Sequence, residues 1–210
     1  MQPERWLLSF PSTPILDDFN RANEGPPPSA SWTGPATGFG NNLQVVSNAV
    51  AAVGAAGSGY WNPSTLGPDS EVYATYAALG TFTVLGRVSS PGATFNGYGF
   101  QAPGASVRMF RFDSGVGTQL GSSIGQARSV GDILGLELVG STLAGYVRTS
   151  GVWSAPITQT DSTYTSAGYL ALSLGGTTGS YDDFGGGTIV VPLTRFTNTL
   201  GIRSPIRYDL

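Results

Sequence analysis

Residues 132–148 read Asp-Ile-Leu-Gly-Leu-Glu-Leu-Val-Gly-Ser-Thr-Leu-Ala-Gly-Tyr-Val-Arg, and they decide the fold. Leu134, Leu136 and Leu138 alternate with Gly135 and Glu137, the period of two that puts one set of side chains on a buried sheet face. Gly140-Ser141 interrupts the alternation and Thr142 to Arg148 resumes it, which predicts a β-hairpin. A second tight turn at Ser150-Gly151 leads into Val152-Trp153.

The same grammar recurs outward from this hairpin. Glu71 to Ala77, Thr81 to Val88, Gly97 to Ala102, Ser106 to Asp113, Gly168 to Leu174 and Thr188 to Leu193 all read as strands. Between them, Pro91-Gly92 and Pro103-Gly104 are turn signals, because Pro fixes φ and Gly supplies positive φ. Val45 to Ala56 is the best helix candidate, but Gly54 breaks it and it has no polar face, so it reads as one or two buried strands. Gly and Pro together make up roughly a fifth of the chain, ordinary for a turn-rich β protein. Many short strands in one domain predict an all-β protein, either a sandwich (jelly rolls included) or a closed barrel.

Three residue types are missing. All ten cationic residues are Arg, and the chain has no Lys, His or Cys. Nucleophilic triads built on His, Lys Schiff bases, P-loops, His/Cys zinc sites and disulfides are thereby excluded. Carboxylate chemistry, oxygen-ligand metals or no chemistry remain. A net charge of -3 with dispersed Arg gives no reason to expect nucleic acid as a partner. No stretch approaches the length of a membrane span, and the N-terminus does not read as a signal peptide.

The ends differ from the middle. Residues 1–14, with Trp6 and Phe10 among Pro3, Pro11 and Pro14, read as an N-terminal arm. Residues 191–210, with Phe196, Ile202 and Tyr208, read as a C-terminal arm around a body of residues 15–190. Apolar anchors on such arms need a surface to lie against, and a neighbouring subunit is expected ahead of the chain's own surface.

Two segments carry a resemblance. One is Leu16-Asp-Asp-Phe-Asn-Arg-Ala-Asn23 followed by Trp32; the other is Asp161 to Leu172 followed by Tyr181-Asp-Asp-Phe184. With the Gly140 hairpin and Val152-Trp153, this order resembles the concanavalin A-like lectin/glucanase jelly roll. In particular it looks like the LamG-like modules of bacteriophage virion proteins and secreted bacterial proteins. The resemblance implies an antiparallel jelly-roll β-sandwich in which the opening Asp17-Asp18-Phe19 lies beside the closing Asp182-Asp183-Phe184. It also implies core positions for Trp32 and Trp153.

The residues agree without the family. Alternation sends Phe19 and Phe184 inward and turns a neighbouring Asp outward, with Arg21 placed to neutralise part of the charge. The four carboxylates read either as charged strand ends that keep the rim soluble, or as a Ca²⁺ site of Asp17, Asp18, Asp182 and Asp183, since hard cations take several oxygens. No other cofactor is expected. Catalysis is not expected either: the retaining glucanases of this fold carry Glu-x-Asp-x-x-Glu on one strand, and none of the four Glu here sits in such a motif. Glu137 reads as a solvent-facing strand residue. Sugar sites stack flat rings and hydrogen-bond hydroxyls, which makes Tyr60, Trp61, Asn96, Tyr98 and Asp113 candidates, in Gly-rich turns or at a strand end.

Two functions follow. The first is a non-enzymatic structural virion protein of a bacteriophage, a minor tail, tail-tip or capsid decoration component. It would be assembled in the host cytoplasm, its arms docking on other virion proteins and on copies of itself, with host-surface glycans as further partners and no membrane. The second is a stand-alone carbohydrate-binding or receptor-binding lectin-like module.

Overall fold

The structure, a computed structural model, describes residues 10–38, 40–176 and 178–190. These form sixteen β-strands and no helix. In chain order the strands are β1 (Ile15–Asp17), β2 (Trp32–Thr33), β3 (Leu43–Val46), β4 (Ala49–Ala52), β5 (Ala56–Trp61), β6 (Ser70–Ala78), β7 (Thr81–Ser89) and β8 (Asn96–Ala102). There follow β9 (Ser106–Asp113), β10 (Val116–Gly125), β11 (Ile133–Val139), β12 (Thr142–Thr149), β13 (Val152–Trp153), β14 (Ile157–Thr160), β15 (Tyr169–Gly175) and β16 (Ser180–Thr188).

Two antiparallel sheets stack as a sandwich. The first runs β13-β12-β11-β6-β16-β4-β3, with β1 added to β16 and β14 to β12; the second runs β10-β9-β8-β7-β15-β5-β2. The 132–148 stretch is the β11–β12 hairpin, turning at Gly140 with φ of 54°. Leu134, Leu136 and Leu138 are buried between the sheets together with Leu143 and Val147 of the partner strand. Gly145 stands opposite Leu136, and a Cβ there would collide with the Phe100 ring of the other sheet. The glycine in the alternating pattern is thus what lets the two sheets interlock. Val45 to Ala56 contains β4 and parts of β3 and β5, so it is strand as expected.

One strand lies elsewhere than expected, and one was not read at all. The last strand among the described residues is Ser180–Thr188, which the expected strand from Thr188 to Leu193 overlaps only at Thr188; the Ile189 N–H donates to the Asp69 carbonyl at 2.9 Å, and residues 191–193 lie outside the described residues. The pattern of β16 was masked by Gly185-Gly186-Gly187, which close approach requires: a Cβ on Gly185 would run into the Tyr73 ring, and Gly186 has φ of 154° against the Glu71 carbonyl. Strand β10 carries no alternation at all. It is an edge strand exposed along nearly its whole length, held by its ladder to β9 and by the half-buried Leu120.

The core is aromatic at both ends. Phe82 lies 3.9 Å from Tyr181 and 4.6 Å from Tyr76, while Trp32 sits 4.8 Å from Phe184 and 5.8 Å from Phe19. Strands β1 and β16 pair antiparallel, and Phe19 and Phe184 are fully buried, as the sequence predicts. Asp17 fastens this closure. Its Oδ2 accepts the Trp32 indole N–H at 2.9 Å, and its carboxylate accepts Arg21 at 2.6 and 3.1 Å and the Phe19 N–H at 2.9 Å. Burial pushes the Asp17 carboxyl up, but these hydrogen bonds outweigh burial and hold it below the usual carboxylate range.

A second polar clamp pins the loop after β14 to the second sheet. Asp161 accepts the Tyr98 hydroxyl at 2.7 Å, Arg111 Nη1 at 2.8 Å and the Thr163 N–H at 2.8 Å. Tyr164 in turn donates to Asp113 at 2.7 Å and lies 3.0 Å from Asn96 Oδ1. Partial burial raises the Asp161 carboxyl, but the bonds from Tyr98, Thr163 and Arg111 prevail and bring it from 3.8 to about 2.

Two outcomes are expected. Asp17→Ala orphans the buried Trp32 indole N–H and leaves Arg21 only Glu24 and the Pro28 carbonyl as partners, and should lower unfolding free energy by about 3 kcal/mol in urea titration. The depressed Asp161 value means that its stabilisation is present above pH 3.8 and lost as pH falls through about 2. Thermal midpoints measured down that range should fall less steeply in Asp161→Asn than in the parent.

Candidate functional site

Each sheet has an inner face on the core and an outer face, and the outer face of the second sheet is not plain solvent surface. Ser58 on β5, Ser173 on β15, Thr83 on β7, Gln101 on β8 and Arg108 on β9 are direct cross-strand partners in turn. Direct partners project to the same side, so five strands build one polar row. Gln101 Nε2 donates to Thr83 Oγ1 at 3.2 Å, and Arg108 donates to Gln101 Oε1 from Nε at 2.8 Å and Nη2 at 2.6 Å. The Thr37 N–H donates to Ser58 Oγ at 3.0 Å from the loop above.

Two residues along the strands the next row is apolar: Phe110, Gly99, Leu85, Ala171 and Tyr60. Loops roof part of it with Ala36 and Phe95, and these pack with Leu85, Val88, Phe112 and Ala171 as a second small core outside the sandwich. Phe95 lies 4.8 Å from Phe112, and Phe112 is 5.7 Å from Phe110. Arg108 lies over the Phe110 ring, 5.0 Å from its centroid. A Cβ on Gly99 would stand 2.9 Å from both the Phe112 ring and Thr83 Cγ2, so glycine is what lets this ring settle against the sheet.

Where the roof stops, a cavity of about 300 Å³ opens, with Thr83, Gln101, Arg108 and Ser173 among its polar lining and Phe110 and Phe112 as apolar wall. That volume is at the lower end of small-molecule sites, roughly 300–1,000 Å³. A ring could lie flat on an aromatic wall while its hydroxyls meet the polar row.

None of the five residues expected to bind sugar lines this cavity. Tyr60 shares its face but packs 4.8 Å from Tyr169 beyond the roof. Trp61 stands on β5, not in a turn, and packs against the core and Trp32 at 5.8 Å. Asn96 and Tyr98 lie on β8, with Tyr98 fully buried, and Asn96, Tyr98 and Asp113 are engaged in the Asp161 clamp.

The opening and closing aspartates do gather. Burial, and then repulsion among Asp17, Asp18 and Asp183, raises Asp182; burial and Asp18 raise Asp183. They do not fit a calcium ion, because Asp17 is committed to Arg21, Trp32 and Phe19. No group of three or more acids is arranged to hold a metal among the described residues. Asp183 also has φ of 49°, at an irregularity in the β16–β6 register, so the expected strand alternation fails at that residue.

On the outer face of the first sheet the structure supplies a carboxylate opposite Glu137 that sequence spacing hid: Glu71 is its cross-strand partner. Glu71 is buried, however, and its Oε1 accepts the Ser12 and Thr13 N–H groups, each at 2.6 Å, and the Thr13 hydroxyl at 2.7 Å. Tyr146 donates to Glu137 at 3.1 Å. The pair thus anchors the N-terminal segment. Phe10 completes that anchor, stacking 4.3 Å from Tyr146 and meeting Trp153 edge-on at 4.9 Å above Gly135. Trp153 is therefore a packing residue of the outer surface, half-buried, and not of the inner core. Trp6, Phe196, Ile202 and Tyr208 lie outside the described residues.

No family model matches the chain, and no curated protein sequence matches it. Solved structures do match. The carbohydrate binding module CBM66 from Bacillus subtilis aligns at TM-score 0.60 and 15% identity, covering 75% of this chain and 96% of that one. The VIP36 exoplasmic/lumenal domain in its Ca²⁺/Man2-bound form aligns at TM-score 0.61 and 12% identity over 87% and 90%. The legume lectin-like domain from Entamoeba histolytica aligns at 0.50 and 15% over 76% and 89%. With its two stacked antiparallel sheets, this chain has the concanavalin A-like lectin β-sandwich fold.

Proposed function

We propose that the chain is a non-catalytic carbohydrate-binding domain whose ligand occupies the cavity on the outer face of the second sheet. One observation carries this reading: the cavity joins an aromatic wall, Phe110 and Phe112, to a hydrogen-bonded polar row. Flat apolar sugar faces and their hydroxyl edges need both kinds of surface at once. The fold likeness to a carbohydrate binding module and to lectin domains supports it at the level of architecture. No Asp or Glu lines the cavity, whereas glycoside hydrolysis requires two carboxyl groups across the bond.

The virion role rests on the sequence resemblance, the missing catalytic residue types and the reading of the two ends as docking arms. None of these comparisons ties the chain to a virion. Phe10, the arm anchor among the described residues, packs on the chain's own sheet, which favours the binding reading over docking on a neighbour.

The test is a screen of the full chain on a glycan and polysaccharide array, followed by calorimetry on the strongest hit. Phe110→Ala should weaken that hit by about tenfold, the usual loss for a central aromatic contact. Gly175→Leu should block the cavity: its Cβ would meet Thr81 at an ordinary 3.4 Å, so the plug fits without a backbone clash. Binding that both variants retain in full, or an array with no hit, would sink the reading.

A further inference from the structure

The charge inside the cavity says more than its shape. Arg108 makes no ion pair among the described residues; its hydrogen bonds go from Nε and Nη2 to the neutral Gln101. A guanidinium has five N–H donors in a fixed fork, so those two bonds leave most of the fork unused. Arg21 and Arg111 are matched differently: Arg21 pairs with Asp17 and Glu24, and Arg111 with Asp113 and Asp161, while the exposed Arg148 donates to the Gly151 carbonyl. In a chain with net charge -3 and only 11% charged residues, acids were available for pairing, yet none lines this cavity.

The cavity also continues. Thr81 and Gly175 are shared with a neighbouring cavity of about 540 Å³ that is again free of Asp and Glu and contains a second guanidinium, Arg128. Arg128 donates Nη1 to the Ser106 carbonyl at 2.7 Å and lies over the Tyr76 ring, while its buried Nε has no hydrogen-bond partner. Ser106 is two residues from Arg108 on β9, or about 7 Å of strand. Two guanidinium groups that lack carboxylate partners therefore stand along one path.

We infer that the natural ligand is an acidic carbohydrate, a polyuronate-type chain whose carboxylates meet Arg108 first and Arg128 farther along the path. The inference rests on the carbohydrate reading above and adds the ligand's charge. A planar carboxylate accepts two parallel N–H groups from one guanidinium, and that match is stronger and more directional than a hydroxyl contact. Arg128 is held from below by the Ser106 carbonyl, and Arg108 by Gln101, so both forks are oriented before a ligand arrives.

The probes are oligogalacturonate, its neutral methyl ester, dextran sulfate, dextran, and plain acetate and sulfate, each titrated calorimetrically into the full chain. Oligogalacturonate should bind about tenfold more tightly than its ester, a gap that added salt narrows. Arg108→Gln should shrink that ratio toward one, Arg108→Lys should keep part of it, and thermal midpoints will report whether either variant is folded. An ester that binds as well as the acid would overturn the inference and leave the carbohydrate reading standing. Acetate or sulfate binding as tightly as the oligosaccharide would keep the anion and remove the sugar. Preference for dextran sulfate over oligogalacturonate would replace carboxylate by sulfate ester, and a chain that binds none of these, with no array hit, overturns both readings.

Discussion

The hydrogen bond from the Trp32 indole to Asp17 joins the two sheets at the point where the chain begins and ends its sandwich. Asp17 closes β1 in the first sheet and Trp32 opens β2 in the second. Strand β1 is three residues long, and its register to β16 is irregular, so backbone pairing alone would hold it weakly. The carboxylate supplies what the ladder lacks, while Phe19, Trp32 and Phe184 bury the apolar surface beneath it. With no cysteine in the chain, no covalent staple can replace this closure.

A second constraint shapes the outer face of the second sheet. Arg87 interrupts β7 with φ of 51°, and the pairing to both β8 and β15 slips beside it. Its buried guanidinium donates to the carbonyls of Pro68, Gly140 and Tyr164, which ties three loops to one bulge. Bulges bend a strand and let successive residues break the alternation between faces. Val88 accordingly joins the small outer core with Leu85 and Phe95, and that core roofs one side of the cavity. The cavity thus exists because a sheet that would otherwise be uniformly half-solvated carries a local second layer.

The sandwich was legible because most of its strands alternate. Where alternation is absent the sequence misled: β10 has almost no buried side chain to betray it, and β16 hides behind three glycines that close packing demands. The cavity was harder to read for a different reason. Ser58, Thr83, Gln101, Arg108 and Ser173 are scattered over more than half the chain, and each alone is an ordinary outward residue of a strand. Only register assembles them. One signal was present in Ser106 to Asp113, where Phe110 and Phe112 fall on the same side as Arg108 although Val107 and Met109 already mark the buried side. Large apolar residues on both faces of an antiparallel strand announce that the second face is covered too. The aromatics sought instead in glycine-rich turns, Trp61 and Tyr98, proved to be packed in the sandwich.

The two outer faces differ in what already occupies them. On the first sheet, Tyr73, Tyr146 and Trp153 with Glu71 and Glu137 offer aromatics and acids, but the chain's own Phe10, Ser12 and Thr13 already occupy them. Glu71, a buried carboxylate, is tolerable there because four donors from Ser12 and Thr13 converge on one of its oxygens. On the second sheet the polar row is fixed by its own internal hydrogen bonds, and Arg108 lines the cavity there. Orienting that side chain costs rotamer entropy in the free protein, which is offset by stacking on Phe110 and the bonds to Gln101. A charge held in place without a counter-charge contributes little to folding; on the reading proposed above, its value lies in the carboxylate that a ligand would bring.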